Sequence, residues 1–194
     1  MSDPIVLPFE DATVHFYESF YSAEEAKTLF AQLREEVQWQ QQTLKMFGKE
    51  IKVPRLVAWY GDGDKSYTYS GMTLQPHVWS PLLQQIKNKI EQTTQTSFNS
   101  VLLNLYRDET DSVGWHSDDE PELGDDPIIA SLSLGAEREF QFKHYSTDER
   151  HKIILTSGSL LLMRKGSQVH YKHRIPKTKK PLSKRINLTF RTIY

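Results

Sequence analysis

The chain has 194 residues, 38% hydrophobic and 11% aromatic, with nine Gly, nine Pro, no Cys and a formal net charge of −1. This is a globular composition, too rich in aromatics for a disordered chain and without the run of roughly 20 apolar residues that a membrane helix needs. The lack of Cys excludes disulfides, thiolate zinc sites, iron–sulfur clusters and thiol nucleophiles, so any metal must be held by His, Asp or Glu.

The first residues, MSDPIVLPFEDA, have neither the basic start nor the small-residue cleavage site of a secretory signal. That predicts a cytoplasmic protein, nuclear in a eukaryote, with no membrane attachment. The near-zero charge conceals an asymmetry. Residues 150–194 hold 12 Lys/Arg and no acid, which leaves 12 basic against 25 acidic residues in 1–149. Residues 108–126 alone hold nine acids and no Lys or Arg. A basic face can bind a polyanion whatever the net charge; the alternative is that the two signs interleave in space.

In chain order, Ser22-Ala-Glu-Glu25 is a capping box, and Ala26, Leu29, Phe30, Leu33 and Val37 follow at helical spacing, predicting a helix over about 23–37. Trp59 to Gly71, rich in Gly and Tyr, reads as a loop and then a short strand. Ser80 before Pro81 caps a second helix carrying Leu82, Leu83, Ile86 and Ile90. From Asn99 onward the pattern turns to strands: Ser100–Arg107, Ile128–Leu134, Arg138–Lys143, Lys152–Thr156, Ser159–Met163, Val169–Ile175 and Lys184–Ile193. Helices followed by seven short strands predict an α+β fold, a β-sandwich or jelly roll buttressed by N-terminal helices.

On the last strand Arg185, Asn187, Thr189 and Arg191 share one face, either a solvated surface or a grip for a small dicarboxylate. In the strand from Ser100, Leu102, Asn104 and Tyr106 share a face. His116 and Asp118, in a turn-rich acidic loop, are spaced to turn toward one metal. A second His completes the facial triad of non-haem Fe(II) oxygenases. Of His170 and His173, His173 shares a side with Val169, Tyr171 and Ile175 and is the better inward ligand; the alternative is a satisfied core histidine.

Taken together, His116-x-Asp118, His173 and Arg185-x-Asn187-x-Thr189-Phe190-Arg191 resemble the AlkB family of Fe(II)- and 2-oxoglutarate-dependent dioxygenases. Asn104-x-Tyr106, residues 114–120 (GWHSDDE), 129–135 (IASLSLG), 158–163 (GSLLLM) and 173–176 (HRIP) extend the likeness, which runs from about residue 45 to the end. Residues 60–62 (YGD) and 66–71 (SYTYSG) resemble the branch that repairs alkylated DNA bases. The resemblance implies a single domain over 1–194. A double-stranded β-helix core fills about 99–194, and helices with a nucleotide-recognition lid fill about 1–98.

It also implies Fe(II) as cofactor with 2-oxoglutarate and O2 as cosubstrates, His116, Asp118 and His173 as metal ligands, and Arg185 with Tyr106 on the distal carboxylate of 2-oxoglutarate. Arg191, Asn104 and Asn187 fall at its oxalyl end, with Thr189 a lesser contact. For the substrate it implies Tyr69, Tyr67 and Ser70 in the lid, Asp119 and Glu120 at the base edge, Phe47 and Gly48 at an apolar finger, and Arg55, Lys177, Lys179 and Lys180 at phosphates. The implied activity is hydroxylation of the methyl group of 1-methyladenine or 3-methylcytosine in DNA, with RNA a second candidate, releasing formaldehyde from a monomeric enzyme. Tyr69 in place of Phe, and Trp115 before the ligand His, depart from the repair branch and bear on substrate range. The competing readings are an oxygenase of the same chemistry acting on a protein or small molecule, and a catalytically silent jelly-roll binding module.

Overall fold

Period-two patterning in the C-terminal half gathers the strands into two antiparallel sheets that face each other, in a computed structural model that describes residues 3–46, 49–63, 67–69, 72–74 and 76–194. The elements are β1 (Ile5–Val6), β2 (Val14–Tyr17), α1 (Ala23–Glu36), β3 (Thr43–Met46), β4 (Lys49–Lys52), β5 (Leu56–Gly61), β6 (Tyr67–Tyr69) and β7 (Met72–Leu74). They continue with α2 (Pro81–Thr94), β8 (Ser100–Tyr106), β9 (Val113–His116), β10 (Ile129–Gly135), β11 (Arg138–His144), β12 (Arg150–Leu155), β13 (Leu160–Met163), α3 (Ser167–His170), β14 (Tyr171–Ile175) and β15 (Arg185–Arg191). The larger sheet has the order β1-β2-β13-β10-β15-β8-β5 and the smaller β12-β11-β14-β9; β3-β4 and β6-β7 are separate hairpins.

Both helices start as their caps dictate. The Glu25 amide donates to Ser22 Oγ while the Glu25 carboxylate accepts from the Ser22 amide, and the Leu83 amide donates to Ser80 Oγ. Their apolar stripes, Ala26, Leu29 and Leu33 on α1 and Leu83, Ile86 and Ile90 on α2, pack with Leu103, Leu132, Ile186, Leu188 and Phe190 of the larger sheet. The opposite face of that sheet meets the smaller one through Tyr106, Ile129, Leu161, Met163, Phe140, Phe142, Tyr171 and Ile175. Burying one such side chain contributes roughly 1.5–3 kcal/mol. The two clusters therefore fix which face of each strand looks into the space between the sheets.

Three expectations need correction. Residues 59–61, expected to open a loop, instead complete the strand β5 paired with β8, because its apolar run is buried on the sheet. His116 closes β9 rather than lying in the loop. The strand expected over 169–175 is divided: Ser167–His170 form a helical turn and the strand begins at Tyr171, leaving Val169 54% exposed. Gly166 causes the division. It takes φ +81°, its amide donates to the Asp126 carboxylate at 2.8 Å, and its carbonyl accepts from His170.

Candidate active site

Strand register brings the chemistry together. β15 lies against β8 with Arg185 opposite Tyr106 and Asn187 opposite Asn104, so Asn104, Tyr106, Asn187, Thr189 and Arg191 line one cavity, with Arg185 buried beside Tyr106. β14 lies against β9 with His173 opposite His116. An irregular register between these two strands lets Val113 and His116, an odd number apart, both line the cavity. Asp118 follows on the loop.

One nitrogen from each of His116 and His173 and one oxygen of Asp118 lie within 4.8 Å of one another, and the two imidazole centroids are 4.4 Å apart. His116 Nδ1 donates to the Gly114 carbonyl at 2.9 Å, which leaves the Nε2 lone pair, 3.9 Å from Asp118 Oδ1, free for a metal. Burial, reinforced by His116 and Arg191 against the opposing pull of Asp118, pushes His173 down to about 3, so its imidazole is neutral at pH 7. For Asp118 burial works against ionisation, but Arg191, His173 and His116 outweigh it and hold the carboxyl at about 2. Arg191 Nη2 donates to Asp118 Oδ1 at 2.9 Å.

The other end of the polar face is cationic. Arg185 is 1% exposed, donates from Nη2 to Ser133 Oγ at 2.9 Å, and stands 5.1 Å from the Tyr106 ring centroid. Its Nε and Nη1 are buried with no hydrogen-bond partner among the described residues. Burial lowers its pKa to about 10, still a cation at neutral pH. Asn187 Nδ2 is held by Ser131 Oγ and the Leu132 carbonyl, and Thr189 donates to Asn187 Oδ1 at 3.4 Å. Asn104 Oδ1 accepts from Arg55 Nε at 2.7 Å, which leaves the amide NH2 of Asn104 for an anion.

Among the expected substrate contacts, Arg55 is corrected: it is 7% exposed and bound by Asn104 and the Ser112 carbonyl, so it lines the cavity instead of offering a surface charge to phosphate. Lys177, Lys179 and Lys180 are exposed, and Asp119 is exposed at the site's edge. Glu120 is half-buried, with Oε2 enclosed and without a partner among the described residues. Phe47, Gly48 and Ser70 lie outside the described residues, as do the side chains of Tyr67 and Tyr69. Trp115 turns away from the cavity, under the Arg174 guanidinium at 4.4 Å. That outer face of the smaller sheet carries five cations, Lys143, Arg150, Lys152, Lys172 and Arg174, to one carboxylate, Glu139.

Residues that sequence reasoning passed over also shape the site. Ser131 and Ser133, alternating in an otherwise apolar strand, were legible as partners for Asn187 and Arg185. Gln168 and Tyr145, which touch the loop between the ligands, left no pattern to read. A second group, Asp11, His144 and His170, brings its ligand atoms equally close. Here His144 Nδ1 accepts the amides of Ser146 and Thr147, so the proton stays on Nε2, 3.5 Å from the Asp11 carboxylate, and no lone pair faces a metal.

Two imidazoles and a carboxylate converging beside a buried guanidinium with spare donors are the donor set of a 2-oxoglutarate oxygenase. The family model of the 2OG-Fe(II) oxygenase superfamily matches residues 13–191. "Alpha-ketoglutarate-dependent dioxygenase alkB homolog 3" of Bos taurus is 48% identical over 90% of this chain and 64% of its own length. "DNA oxidative demethylase ALKBH2" of Mus musculus is 39% identical over 91% of this chain and 79% of its own.

The chain belongs to the AlkB family of 2OG-Fe(II) oxygenases.

The solved structure of OsALKBH1 shares the fold, with a TM-score of 0.65 at 18% identity, covering 92% of this chain and 97% of that one. The chain spans just under two thirds of the length of its alkB homolog 3 relatives from cattle and human, 64% and 66%. Family membership brings Fe(II), 2-oxoglutarate and O2, and the residues present fit them. The triad offers hard N and O donors in neutral and anionic form, and the unmatched donors of Arg185 suit a carboxylate. Among the described residues no helix is long and apolar enough to cross a membrane.

Proposed function

We propose that this AlkB-family chain is an oxidative demethylase that repairs 1-methyladenine and 3-methylcytosine in DNA, releasing the methyl carbon as formaldehyde. The observation that carries the oxygenase chemistry is the convergence of His116, Asp118 and His173 within 4.8 Å beside Arg191. The names of the relatives, which include DNA oxidative demethylases, support DNA as substrate.

His116, Asp118 and His173 would hold the iron, which with 2-oxoglutarate and O2 would supply the oxidation that hydroxylates the N-methyl carbon. Arg185 and Tyr106 grip the distal carboxylate of 2-oxoglutarate, and Asn104, Asn187 and Arg191 frame its other end, with Thr189 alongside. Arg191 also fixes the Asp118 carboxylate by a charge-assisted hydrogen bond. The methylated base carries a positive charge, so Asp119 and the unpartnered Glu120 Oε2 are suited to its edge. Extrusion of the base costs a few kcal/mol, least for a lesion that cannot pair. Tyr67, Tyr69, Ser70, Phe47 and Gly48 receive the base and fill its gap. Lys177, Lys179 and Lys180, with the cationic outer face of the smaller sheet, attract phosphates.

The working unit is a monomer, one catalytic domain over 1–194, acting in the cytoplasm or, in a eukaryote, the nucleus. Light scattering and a fluorescent fusion test those two points. The decisive assay incubates the protein with Fe(II), 2-oxoglutarate and an oligonucleotide containing one 3-methylcytosine. Formaldehyde and succinate appear together and Asp118→Ala abolishes both. Succinate formation that the methylated oligonucleotide does not stimulate would instead point to a different substrate.

A further inference from the structure

We propose that Gln168 is a positioning residue for the metal centre, holding the backbone of the ligand Asp118 from across the fold. The side chain is 2% exposed and sits in α3, the helical turn that immediately precedes the strand carrying His173. Its Oε1 accepts the Asp118 amide at 3.0 Å. Its own amide nitrogen is held in turn, donating to Ser167 Oγ at 3.2 Å and resting 3.6 Å from Met163 Sδ. Those contacts fix which end of the side-chain amide points at Asp118, because only the oxygen can accept an N–H.

Asp118 needs such a hold. His116 is secured by β-pairing with His173, but Asp118 lies two residues past it on a loop with no ladder bond. Its carboxylate is steered by Arg191 and its neighbour Ser117 is bonded to Tyr145 OH at 2.8 Å. The main chain of the ligand itself is held by Gln168. One glutamine thus couples the second ligand to the segment that delivers the third, so the spacing of Asp118 from His173 does not depend on the acidic loop's own stiffness. A buried amide deprived of its acceptor relaxes toward another partner, and displacement of that amide carries the carboxylate with it. Partners of this kind behind metal ligands typically contribute 10- to 100-fold in metal affinity or activity.

The inference rests on the ligand assignment above, and the test separates the two. Mn(II) stands in for iron, and the free-ion electron paramagnetic resonance signal reports binding to the intact protein without turnover. Wild type binds Mn(II) and Asp118→Ala does not. Gln168→Met, close in shape but without the acceptor, binds about 10- to 100-fold more weakly. Gln168→Glu, which keeps an acceptor oxygen, stays within about threefold of wild type, a rescue that a merely structural role does not predict. Near-UV circular dichroism confirms that each variant is folded. Wild-type affinity in Gln168→Met, or an equal loss in Gln168→Glu, overturns the proposal. Wild type that ignores Mn(II) would remove the metal centre itself.

Discussion

Replacing Arg185 by Met separates what the buried guanidinium does for the fold from what it does for the cosubstrate. Arg185 is 1% exposed, the Arg138 cation further disfavours its charge, and its hydrogen bond runs from Nη2 to the neutral Ser133 hydroxyl. Nε and Nη1 are enclosed without partners, and burial drags the pKa down to about 10. A charge kept in this way is a liability until a carboxylate arrives, and apolar replacement of buried charges is often neutral or stabilising. The ligand-free Arg185→Met protein is therefore expected to melt at or above the wild-type temperature. With 2-oxoglutarate the balance reverses, because its distal carboxylate loses a charge-assisted pair at a dry site. Truncating one side of such a pair costs about 2–5 kcal/mol, and about 3 kcal/mol is roughly a hundredfold in affinity. The assay is steady-state formaldehyde release at varied 2-oxoglutarate, read as KM against kcat, beside thermal melts with and without cosubstrate. A KM within about threefold of wild type, or a ligand-free protein that unfolds, would refute the reasoning.

Three further outcomes follow from named contacts. Glu25 is held below its ordinary value chiefly by the Ser22 backbone and hydroxyl, so its contribution is present above the unfolded value of 4.5 and fades as pH falls through the lower folded value; denaturant midpoints should fall with acid in wild type and show less of that fall in Glu25→Gln. Gly166→Ala forces a side chain into φ +81° with its Cβ 1.8 Å from the Asp11 carbonyl oxygen, and should lower the unfolding free energy by about 2 kcal/mol or more in urea titration. Phe47→Ala should slow repair of duplex about tenfold while leaving single-stranded repair nearly unchanged, because a wedge offsets lost stacking only where there is a stack; equal rates of loss on both substrates would make Phe47 a packing residue.

How far the sequence could be read depended on which period a residue obeyed. The alternation in 185–191 announced its face correctly, since β15 is a central strand whose two sides meet different cores, and Asn104 with Tyr106 followed the same rule. His173 was reachable for the same reason. The rule failed at β9, where the irregular register lets Val113 and His116 look the same way, and at Val169, where Gly166 with the Asp126 carboxylate sets a helical turn against the expected strand. Arg55 was placed at phosphate by the family resemblance alone, and only the fold reveals Asn104 waiting inside. Gln168 was invisible, being one polar residue in a turn whose partner lies 50 positions away.

The segregated charge of the chain resolves in two different ways, and the difference carries the functional reading. Asp118 from the acidic stretch meets Arg191 from the basic tail in a buried pair, so at the metal centre the two signs do interleave, and the pairing keeps a carboxylate ionised where burial alone would protonate it. Arg185, from the same tail, is buried with no carboxylate paired to it among the described residues: it bonds the neutral Ser133 hydroxyl and feels the Arg138 cation. The remaining tail cations on β12 and β14 turn outward from the sheet whose inner face carries His116 on β9 and His173 on β14. Alternation along a strand thus lets one stretch of sequence supply a metal ligand on one side and a phosphate-attracting face on the other. Under the function proposed above, the inner face of this four-stranded sheet would meet the base and its outer face would draw in the phosphates. Neutralising Lys172 and Arg174 together should therefore weaken DNA binding at low salt and flatten the loss of activity in a salt titration, leaving cosubstrate turnover without DNA untouched.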